Sequence, residues 1–293
     1  MTSKLAIGSV QFGLDYGISN KEGITSFQEV KKILDIALEE NIDLIDTASS
    51  YDKSELVLGE TKLSNKFKIV TKIRELGNEN KQDISKIIQE EFKRSLKFLK
   101  TKKIYGLLLH NANNLSSECA DNIWNEFKKL KKIGLVDKIG VSVYDAKQID
   151  FIIKNFEIDL IQLPLSIYDQ SLFLNGYIKK LKDLRIEIHA RSIFLQGLIL
   201  QNSDSLKDFF LPIKKHHQQF LDATKNIKAK PLDACLGFVK KTEIDYAVVG
   251  VNNSNQFNEI IKSFKMDLLN IDLTKFALDN PLFTNPTNWK INK

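Results

Sequence analysis

The sequence has few of the residues on which metal sites and disulfide frameworks depend. It contains two cysteines, Cys119 and Cys235, and four histidines in 293 residues. Neither cysteine has another Cys or a His at metal-ligand spacing, so we predict free thiols and no metal site. Free thiols are the usual state in a reducing cytosol. A metal-dependent barrel, which needs clustered histidines and carboxylates, is therefore poorly supported.

Arginine is also scarce. Of the 43 Lys and Arg residues, only four are arginines, namely Arg74, Arg94, Arg185 and Arg191. The formal net charge of +6 raises the question of a nucleic-acid partner. Base-edge and phosphate recognition depends largely on the arginine fork, however. The lysines are interleaved with acidic residues along the chain. We therefore predict a solvated, lysine-rich surface and no nucleic-acid partner.

Long hydrophobic runs are absent as well. No stretch of about 18 apolar residues is present, so the sequence predicts no membrane span. The first residues do not match a secretory signal, because Gly8, Gln11 and Gly13 interrupt the short apolar run. These observations predict a cytoplasmic protein. Hydrophobic residues make up 43% and charged residues 27%, which is ordinary globular usage and excludes a disordered or collagenous chain.

Short apolar runs alternate with amphipathic stretches along the chain. Eight such runs lie at residues 5–7, 42–45, 68–71, 104–109, 138–143, 159–163, 186–189 and 246–249. Consecutive Ile, Val and Leu residues are typical of strands buried on both faces of a parallel sheet. We predict a single α/β domain over residues 1–293, a (β/α)₈ TIM barrel. An open doubly wound sheet is the alternative, but no GxGxxG follows a strand.

The stretches between the runs have helical periodicity, and their ends carry helix signals. We expect a capping box at Ser26 and Glu29 and a glycine cap at Gly134. One helix is predicted at residues 171–184. His216 and His217 lie in a Lys/Gln-rich helical stretch that we expect to face solvent. The tail at residues 270–293 contains Phe283 and Trp289 and is predicted to cover the pocket.

Polar residues follow three successive predicted strands. Asp46 ends the second strand, Lys72 the third and His110 the fourth, and Tyr51 lies on the connecting loop after the second. In a barrel the active site forms at the C-terminal strand ends. A tyrosine hydroxyl can donate a proton, and a nearby lysine lowers its pKa. An aspartate can orient the lysine, and a histidine can hydrogen-bond a carbonyl oxygen. The set therefore predicts acid catalysis.

These segments resemble aldo-keto reductases over residues 8–259. The resemblance rests on GSVQFG at 8–13, DTA at 46–48 followed by Tyr51, VTK at 70–72, LLH at 108–110 and IGVS at 139–142. It implies NAD(P)H-dependent reduction of an aldehyde or ketone to an alcohol, or the reverse. Hydride would come from nicotinamide C4 and the proton from Tyr51. Lys72 and Asp46 would tune Tyr51, and His110 would orient the carbonyl.

The resemblance also implies a set of cofactor-binding residues. Ser142 and Gln162 would hold the nicotinamide carboxamide, and residues 191–198 would lie along the ring and pyrophosphate. The full expected set is Gly8, Ser9, Ser142, Gln162, Arg191, Ser192, Phe194, Leu195, Gly197, Gly250, Asn252, Ser254, Gln256 and Glu259. NADP(H) is the expected cofactor. NAD(H) is also expected to be accepted, because Asn252, Asn253 and Asn255 stand where many relatives place a cation against the 2′-phosphate.

Two functional alternatives remain open at this stage. The first is an active reductase, and the second is a non-catalytic nicotinamide-binding sensor or accessory subunit of the same fold. The complete set of Asp46, Tyr51, Lys72 and His110 favours the enzyme. Candidate pocket residues are Phe12, Tyr16, Arg74, Trp124 and Tyr144. For each aromatic residue among them, structural packing is favoured over a substrate contact. Together with Arg191, Arg74 favours an oxygen-rich or anionic carbonyl substrate such as a sugar derivative, and nothing in the sequence predicts an oligomeric state.

Overall fold

Eight parallel strands form a closed barrel in the computed structural model, which describes residues 4–77, 79–267 and 269–291. Each strand pairs with the next along the chain, and the last pairs with the first, Lys4 opposite Tyr246. The strands are β1 (Lys4–Gly8), β2 (Leu44–Asp46), β3 (Lys68–Ile73), β4 (Ile104–Leu109), β5 (Val136–Ser142), β6 (Leu160–Pro164), β7 (Glu187–Arg191) and β8 (Tyr246–Gly250). The predicted TIM barrel is confirmed, and every predicted apolar run overlaps a strand.

Helices connect the strands and cover the outside of the barrel. They are α1 (Phe27–Glu39), α2 (Ser54–Glu60), α3 (Ile84–Leu99), α4 (Ala120–Lys132), α5 (Ala146–Asn155), α6 (Ser171–Leu174), α7 (Tyr177–Asp183), α8 (Lys214–Asn226), α9 (Pro231–Lys241), α10 (Ser254–Lys265) and α11 (Pro281–Thr284). Within the described residues, none of these helices combines the length and apolar character needed to cross a bilayer.

The strands are apolar at successive positions because both of their faces are buried. Leu44, Val70, Leu108 and Leu160 belong to a cluster inside the barrel, while their chain neighbours pack outward against the helices. Space inside is tight. A Cβ added to Gly106 would lie 2.8 Å from the Leu160 side chain, so only a glycine fits there without displacing the interior layer.

The predicted helix ends are confirmed in part. Gly134 follows α4 with a φ of 78°, and its N–H donates to Lys131 O at 3.0 Å, as in a glycine-terminated helix. At α1, Ser26 Oγ accepts the Glu29 N–H at 3.3 Å. The reciprocal half of the capping box is absent, because the Glu29 carboxylate accepts the backbone N–H of Ser254 instead.

Two expectations about the second half of the chain are wrong. The helix predicted at 171–184 is divided into α6 and α7, because Gly176 adopts a φ of 77° between them. His217 does not face solvent. It is fully buried and bonds to the Tyr168 hydroxyl at 2.6 Å and to Gln201 O at 2.8 Å. The sequence neighbours of His217 are polar, so the sequence does not indicate that His217 lies on the buried face of α8.

The C-terminal tail packs against α8 and the 3₁₀ segment Asp208–Ile213. Phe283 lies 5.8 Å from Phe209 between ring centroids, and Trp289 lies 4.9 Å from Phe210. Such edge-to-face aromatic pairs add about 0.5–1.5 kcal/mol each beyond the burial of their area. The tail therefore has its own apolar contacts along one side of the barrel.

Candidate active site

Adjacent strands deliver the predicted catalytic side chains to one end of the barrel. Asp46 is the last residue of β2, Lys72 lies near the end of β3 and His110 follows β4 directly. The register places Asp46 opposite Val70, two residues before Lys72 on β3. Tyr51 lies on the loop between β2 and α2. We call this end of the barrel the mouth.

Lys72 and Asp46 form a buried ion pair in which the lysine donors are saturated. Lys72 Nζ lies 2.8 and 2.7 Å from the two carboxylate oxygens of Asp46 and 2.8 Å from Thr47 O. Gln162 Nε2 donates to Asp46 Oδ1 at 2.7 Å. The two side chains are 1% and 5% exposed. Burial lowers the pKa of Lys72, and the charge of Asp46 opposes that shift.

Tyr51 lies between this pair and His110. Lys72 Nζ is 5.3 Å from the centroid of the Tyr51 ring, and the imidazole of His110 meets that ring edge-on at 5.8 Å. The expected lowering of the Tyr51 pKa is not observed. Burial, and then the charge of Asp46, raise the pKa of Tyr51 above its ordinary value. The Tyr51 hydroxyl therefore stays protonated at neutral pH.

His110 is a neutral hydrogen-bonding group at neutral pH. Its Nδ1 lies 3.0 Å from Ser50 Oγ. Burial, followed by the positive charge of Lys72, lowers the pKa of His110 to about 4. A neutral imidazole can donate one hydrogen bond without adding a charge to the site.

A cavity of about 460 Å³ opens at the mouth. Asp46, Tyr51 and His110 line it, whereas Lys72 lies beneath them and is 1% exposed. Most of the predicted cofactor residues also line it, namely Gly8, Ser142, Gln162, Arg191, Ser192, Phe194, Gly197, Gly250, Asn252, Gln256 and Glu259. The structure thus brings the predicted catalytic and cofactor residues together.

Three predicted cofactor residues are not on the cavity wall. Ser9 is fully buried, and its hydroxyl donates to Asp46 O at 3.0 Å, so it supports β2 from behind. Leu195 is fully buried in the hydrophobic core. The N–H of Ser254 already donates to the Glu29 carboxylate. These three residues therefore support the cavity wall without lining it.

The expected substrate-pocket residues are divided between the cavity and the core. Tyr16 and Tyr144 line the cavity. Arg74 does not, because its guanidinium is held by Glu79 and Glu91 at 2.8 Å each. Phe12 and Trp124 are also outside the cavity wall, since both are buried in the hydrophobic core. For Arg74 the expectation is wrong, whereas Phe12 and Trp124 have the structural packing role that was favoured from the sequence.

Arg191 is the cation on the cavity wall. Its guanidinium carbon lies 4.3 Å from the centroid of the Tyr144 ring, a cation–π contact, and Nη2 donates to Val143 O at 3.0 Å. Among the described residues no carboxylate forms an ion pair with it. Its remaining N–H groups are available to a ligand oxygen.

Sequence reasoning named only Tyr16 of the β1–α1 loop (residues 13–26), although more of this loop lines the cavity. Gly17, Ser19 and Asn20 of this loop line the cavity. Ser19 Oγ donates to Gln196 O at 3.3 Å, and Asn20 Oδ1 accepts from Asn252 Nδ2 at 2.7 Å. The loop therefore joins the segment after β7 to the segment after β8. Its length was the available signal, because long loops in compact domains are often functional.

The donors and acceptors on the cavity wall fit a nicotinamide dinucleotide. Ser142 and Gln162 offer a hydroxyl and an amide that suit a carboxamide. Gln11 Oε1 is buried at the wall and has no hydrogen-bond partner among the described residues, so a ligand N–H or hydroxyl can satisfy it. No trio of His, Cys, Asp and Glu residues in the described ranges is placed to hold a metal ion.

The barrel and its polar mouth are those of an oxidoreductase family that acts on carbonyl compounds. The family model for the aldo/keto reductase family matches residues 4–275. The chain therefore belongs to the aldo/keto reductase family. Among curated proteins, none matches the chain.

Solved structures of other proteins share the fold at low sequence identity. An aldo-keto reductase from Bacillus halodurans, in its holo form, has a TM-score of 0.74 and 18% identity, covering 94% of this chain and 91% of that one. A glycerol dehydrogenase from Gluconobacter oxydans has a TM-score of 0.71 and 20% identity, covering 92% and 88%. At these identities the likeness shows the fold.

Proposed function

We propose that the protein reduces an aldehyde or ketone to an alcohol, or catalyses the reverse reaction, with a nicotinamide dinucleotide as cofactor. One observation carries the proposal. Tyr51 lies on the cavity wall above a buried, saturated Lys72–Asp46 pair, and among the described residues its hydroxyl has no hydrogen-bond partner. A protonated, unengaged hydroxyl at a cavity wall is suited to act as a general acid.

The residues of the mouth divide the work of this reaction. The bound cofactor would supply hydride from nicotinamide C4 to the carbonyl carbon. Tyr51 gives its hydroxyl proton to the carbonyl oxygen as the alkoxide forms. His110, which is neutral at pH 7, donates a hydrogen bond that orients the same oxygen. Lys72 and Asp46 position Tyr51 and place a fixed charge pair beneath it.

Ser142 and Gln162 are suited to hold the carboxamide of the nicotinamide. Gln162 Nε2 is committed to Asp46 at 2.7 Å, which fixes the side chain and leaves its oxygen as an acceptor. Ser142 lines the cavity from the end of β5, beside Gln162 in the strand register. The pair would therefore link cofactor orientation directly to the Lys72–Asp46 pair.

The cavity suits an oxygen-rich or anionic carbonyl compound, such as a sugar derivative. Arg191 offers N–H donors without a carboxylate partner, and Tyr16 and Tyr144 add two hydroxyl groups to the wall. Hydroxyl and guanidinium donors recognise polyols and anions better than alkyl chains. One neighbour in structure is named a glycerol dehydrogenase, which is consistent with a polar substrate.

A panel of carbonyl compounds tests this function. Loss of reduced-nicotinamide absorbance is measured with sugar-derived, anionic and alkyl aldehydes and ketones, and cofactor binding is measured separately by calorimetry. We expect turnover of polar carbonyls at a higher kcat/KM than alkyl ones. Tight cofactor binding without turnover across the panel would favour the alternative, a sensor or accessory subunit. Absence of cofactor binding would overturn both.

A further inference from the structure

Two carboxylates from the first part of the chain occupy the start of α10. Glu29 Oε2 accepts the backbone N–H of Ser254, the first residue of α10, at 2.7 Å. Glu22 lies beside it and accepts from Asn253 Nδ2 at 2.8 and 3.0 Å. Glu22 belongs to the β1–α1 loop and Glu29 to the first turn of α1. Both therefore reach a region distant in sequence.

These contacts fill what is ordinarily an anion-binding position. The first N–H groups of a helix attract anions, both as donors and through the helix dipole. Here the N–H of Ser254 donates to Glu29, that of Gln256 to Asn253 Oδ1 at 2.9 Å, and that of Asn252 to Gln256 Oε1 at 2.9 Å. The anion that α10 holds is a carboxylate of the chain itself.

Lys32 does not supply a free cation at this place. Its ammonium pairs with Glu29 Oε1 at 2.7 Å, and its side chain is 63% exposed. The hydrogen bonds from Lys32 and Ser254 lower the pKa of Glu29 to about 2, so the carboxylate stays charged at neutral pH. An incoming anion would have to displace Glu29 from two donors.

Residues beside the start of α10 line the same cavity as Tyr51, whereas Glu22, Glu29 and Ser254 lie just behind its wall. Asn252, Gln256 and Glu259 line one part of the cavity, while Tyr51 and His110 line another. A dinucleotide whose nicotinamide lay at Tyr51 would place its second nucleoside toward α10, beside Asn252 and Gln256. Glu259 adds a further carboxylate there, and Arg191 is the single Lys or Arg on the described cavity wall.

We propose that Glu22 and Glu29 select a cofactor with an uncharged adenosine ribose and reject one with a 2′-phosphate, so that the protein binds NAD(H) more tightly than NADP(H). The inference rests on the proposed function, because it assumes that a nicotinamide dinucleotide occupies the cavity. It reverses the cofactor order expected from the sequence. From the sequence, Ser254 is expected among the cofactor-binding residues, whereas in the structure the Ser254 N–H donates to Glu29.

Calorimetric titration of NADH and NADPH into the unmodified protein is the first arm of the test. A 2′-phosphate carries close to two negative charges, and a carboxylate about 5 Å from such a group would weaken its binding about tenfold. We expect NADH to bind at least about tenfold more tightly than NADPH. The ratio should shrink as salt is raised, because exposed charges are screened.

Charge-removing variants form the second arm. Glu22→Gln and Glu29→Gln should each shift the ratio of dissociation constants about tenfold toward NADPH, with little change for NADH. Glu39→Gln is the matched control, because it removes a carboxylate from the last residue of the same helix. Glu22 lies on the exposed loop, so Glu22→Gln leaves the start of α1 intact. This variant therefore still tests the proposal if Glu29→Gln misfolds.

Fragments of the cofactor show where the selection acts. Adenosine 5′-phosphate should bind more tightly than adenosine 2′,5′-bisphosphate, by about the same factor as NADH over NADPH. Reduced nicotinamide mononucleotide should bind all variants with the same affinity. Tighter binding of NADPH by the unmodified protein, or a ratio unchanged in the Glu22→Gln/Glu29→Gln double variant, would overturn the inference and leave the proposed function standing. Failure to bind either dinucleotide would overturn the proposed function itself.

Discussion

A Lys–Asp pair lies at each end of the barrel, between β3 and either β2 or the residue that precedes β2. At the mouth, Lys72 Nζ lies 2.7 Å from Asp46 Oδ2, and at the opposite end Lys68 Nζ lies 2.7 Å from Asp43 Oδ2. The mouth pair is 1% and 5% exposed, whereas the opposite pair is 41% and 37% exposed. Equal distances thus conceal very different environments.

The tyrosines near the two pairs differ in the same way. At the N-terminal end of the barrel, the Tyr246 hydroxyl donates to Asp43 at 3.1 Å and the Tyr105 hydroxyl to Glu187 at 2.8 Å. At the mouth, the structure shows no partner for the Tyr51 hydroxyl in the described residues. A tyrosine, a lysine and a carboxylate therefore do not define an active site by themselves. Tyr51 differs from Tyr105 and Tyr246 in that its hydroxyl lacks a partner among the described residues and lies at a cavity wall.

The largest effect is expected from removing that hydroxyl. Tyr51→Phe should lower kcat by about 10²–10⁴, the usual loss on removing a general acid, while the dissociation constant of the cofactor stays unchanged. Tyr246→Phe is the matched control at the opposite end and should leave kcat within about twofold. Steady-state rates and calorimetric titrations on both variants measure this.

Equal rates for the two variants would contradict the assignment of Tyr51. Equal rates would mean that the mouth and the opposite end are functionally alike. A loss of cofactor binding in Tyr51→Phe would also contradict the assignment, because the expected cofactor-binding residues are other residues.

The next effect comes from breaking each ion pair. Lys72→Met leaves the buried Asp46 charge without its cation, which costs about 3–5 kcal/mol of unfolding free energy. Lys68→Met breaks an exposed pair worth about 0.2–1 kcal/mol. Urea unfolding of both variants measures the difference. Similar losses would show that burial does not distinguish the pairs.

The same variants separate the catalytic roles of the two pairs. Lys72→Met and Asp46→Asn should each lower kcat strongly, and Lys72→Met should move any activity that depends on the Tyr51 phenolate to higher pH, since a nearby positive charge is lost. Lys68→Met should leave the pH–rate profile unchanged. An unaltered profile and rate for Lys72→Met would reduce Lys72 to a structural role.

The smallest predicted effect is the titration of His110. Because burial and Lys72 lower its pKa to about 4, the imidazole should stay neutral as pH falls through the ordinary value of about 6.5 and gain its proton only near pH 4. Nuclear magnetic resonance of the ring carbons follows this directly. In Lys72→Met the midpoint should rise, since the repelling charge is gone. A midpoint near 6.5 in the unmodified protein would contradict the buried environment.

The strands and the catalytic set were predictable because their signals are local. Consecutive apolar residues mark strands buried on both faces, and Asp46, Lys72 and His110 each follow such a run directly. Parallel pairing of neighbouring strands then requires that these three side chains meet at one end. The cap at Gly134 was predictable for the same reason, since it depends on adjacent residues.

The remaining features depend on contacts between distant parts of the chain. Glu29 has the sequence signature of a capping box, yet its carboxylate bonds to Ser254, 225 residues away. The raised pKa of Tyr51 depends first on its burial and then on the charge of Asp46, and residue spacing does not reveal how deeply a side chain is buried. His217 lies in a polar stretch, and its burial follows from packing against Tyr168. Local patterns carry no information on such partners.

Histidine resonances offer the most direct test of the claim that the cofactor site is at the mouth. His110 lies at the mouth, His189 is in β7 with its Nε2 on Glu187, and His216 and His217 lie in α8. During titration with reduced nicotinamide cofactor, we predict that the His110 signals shift to saturation while those of His189 stay fixed. A shift of His189 with His110 unchanged would contradict the account.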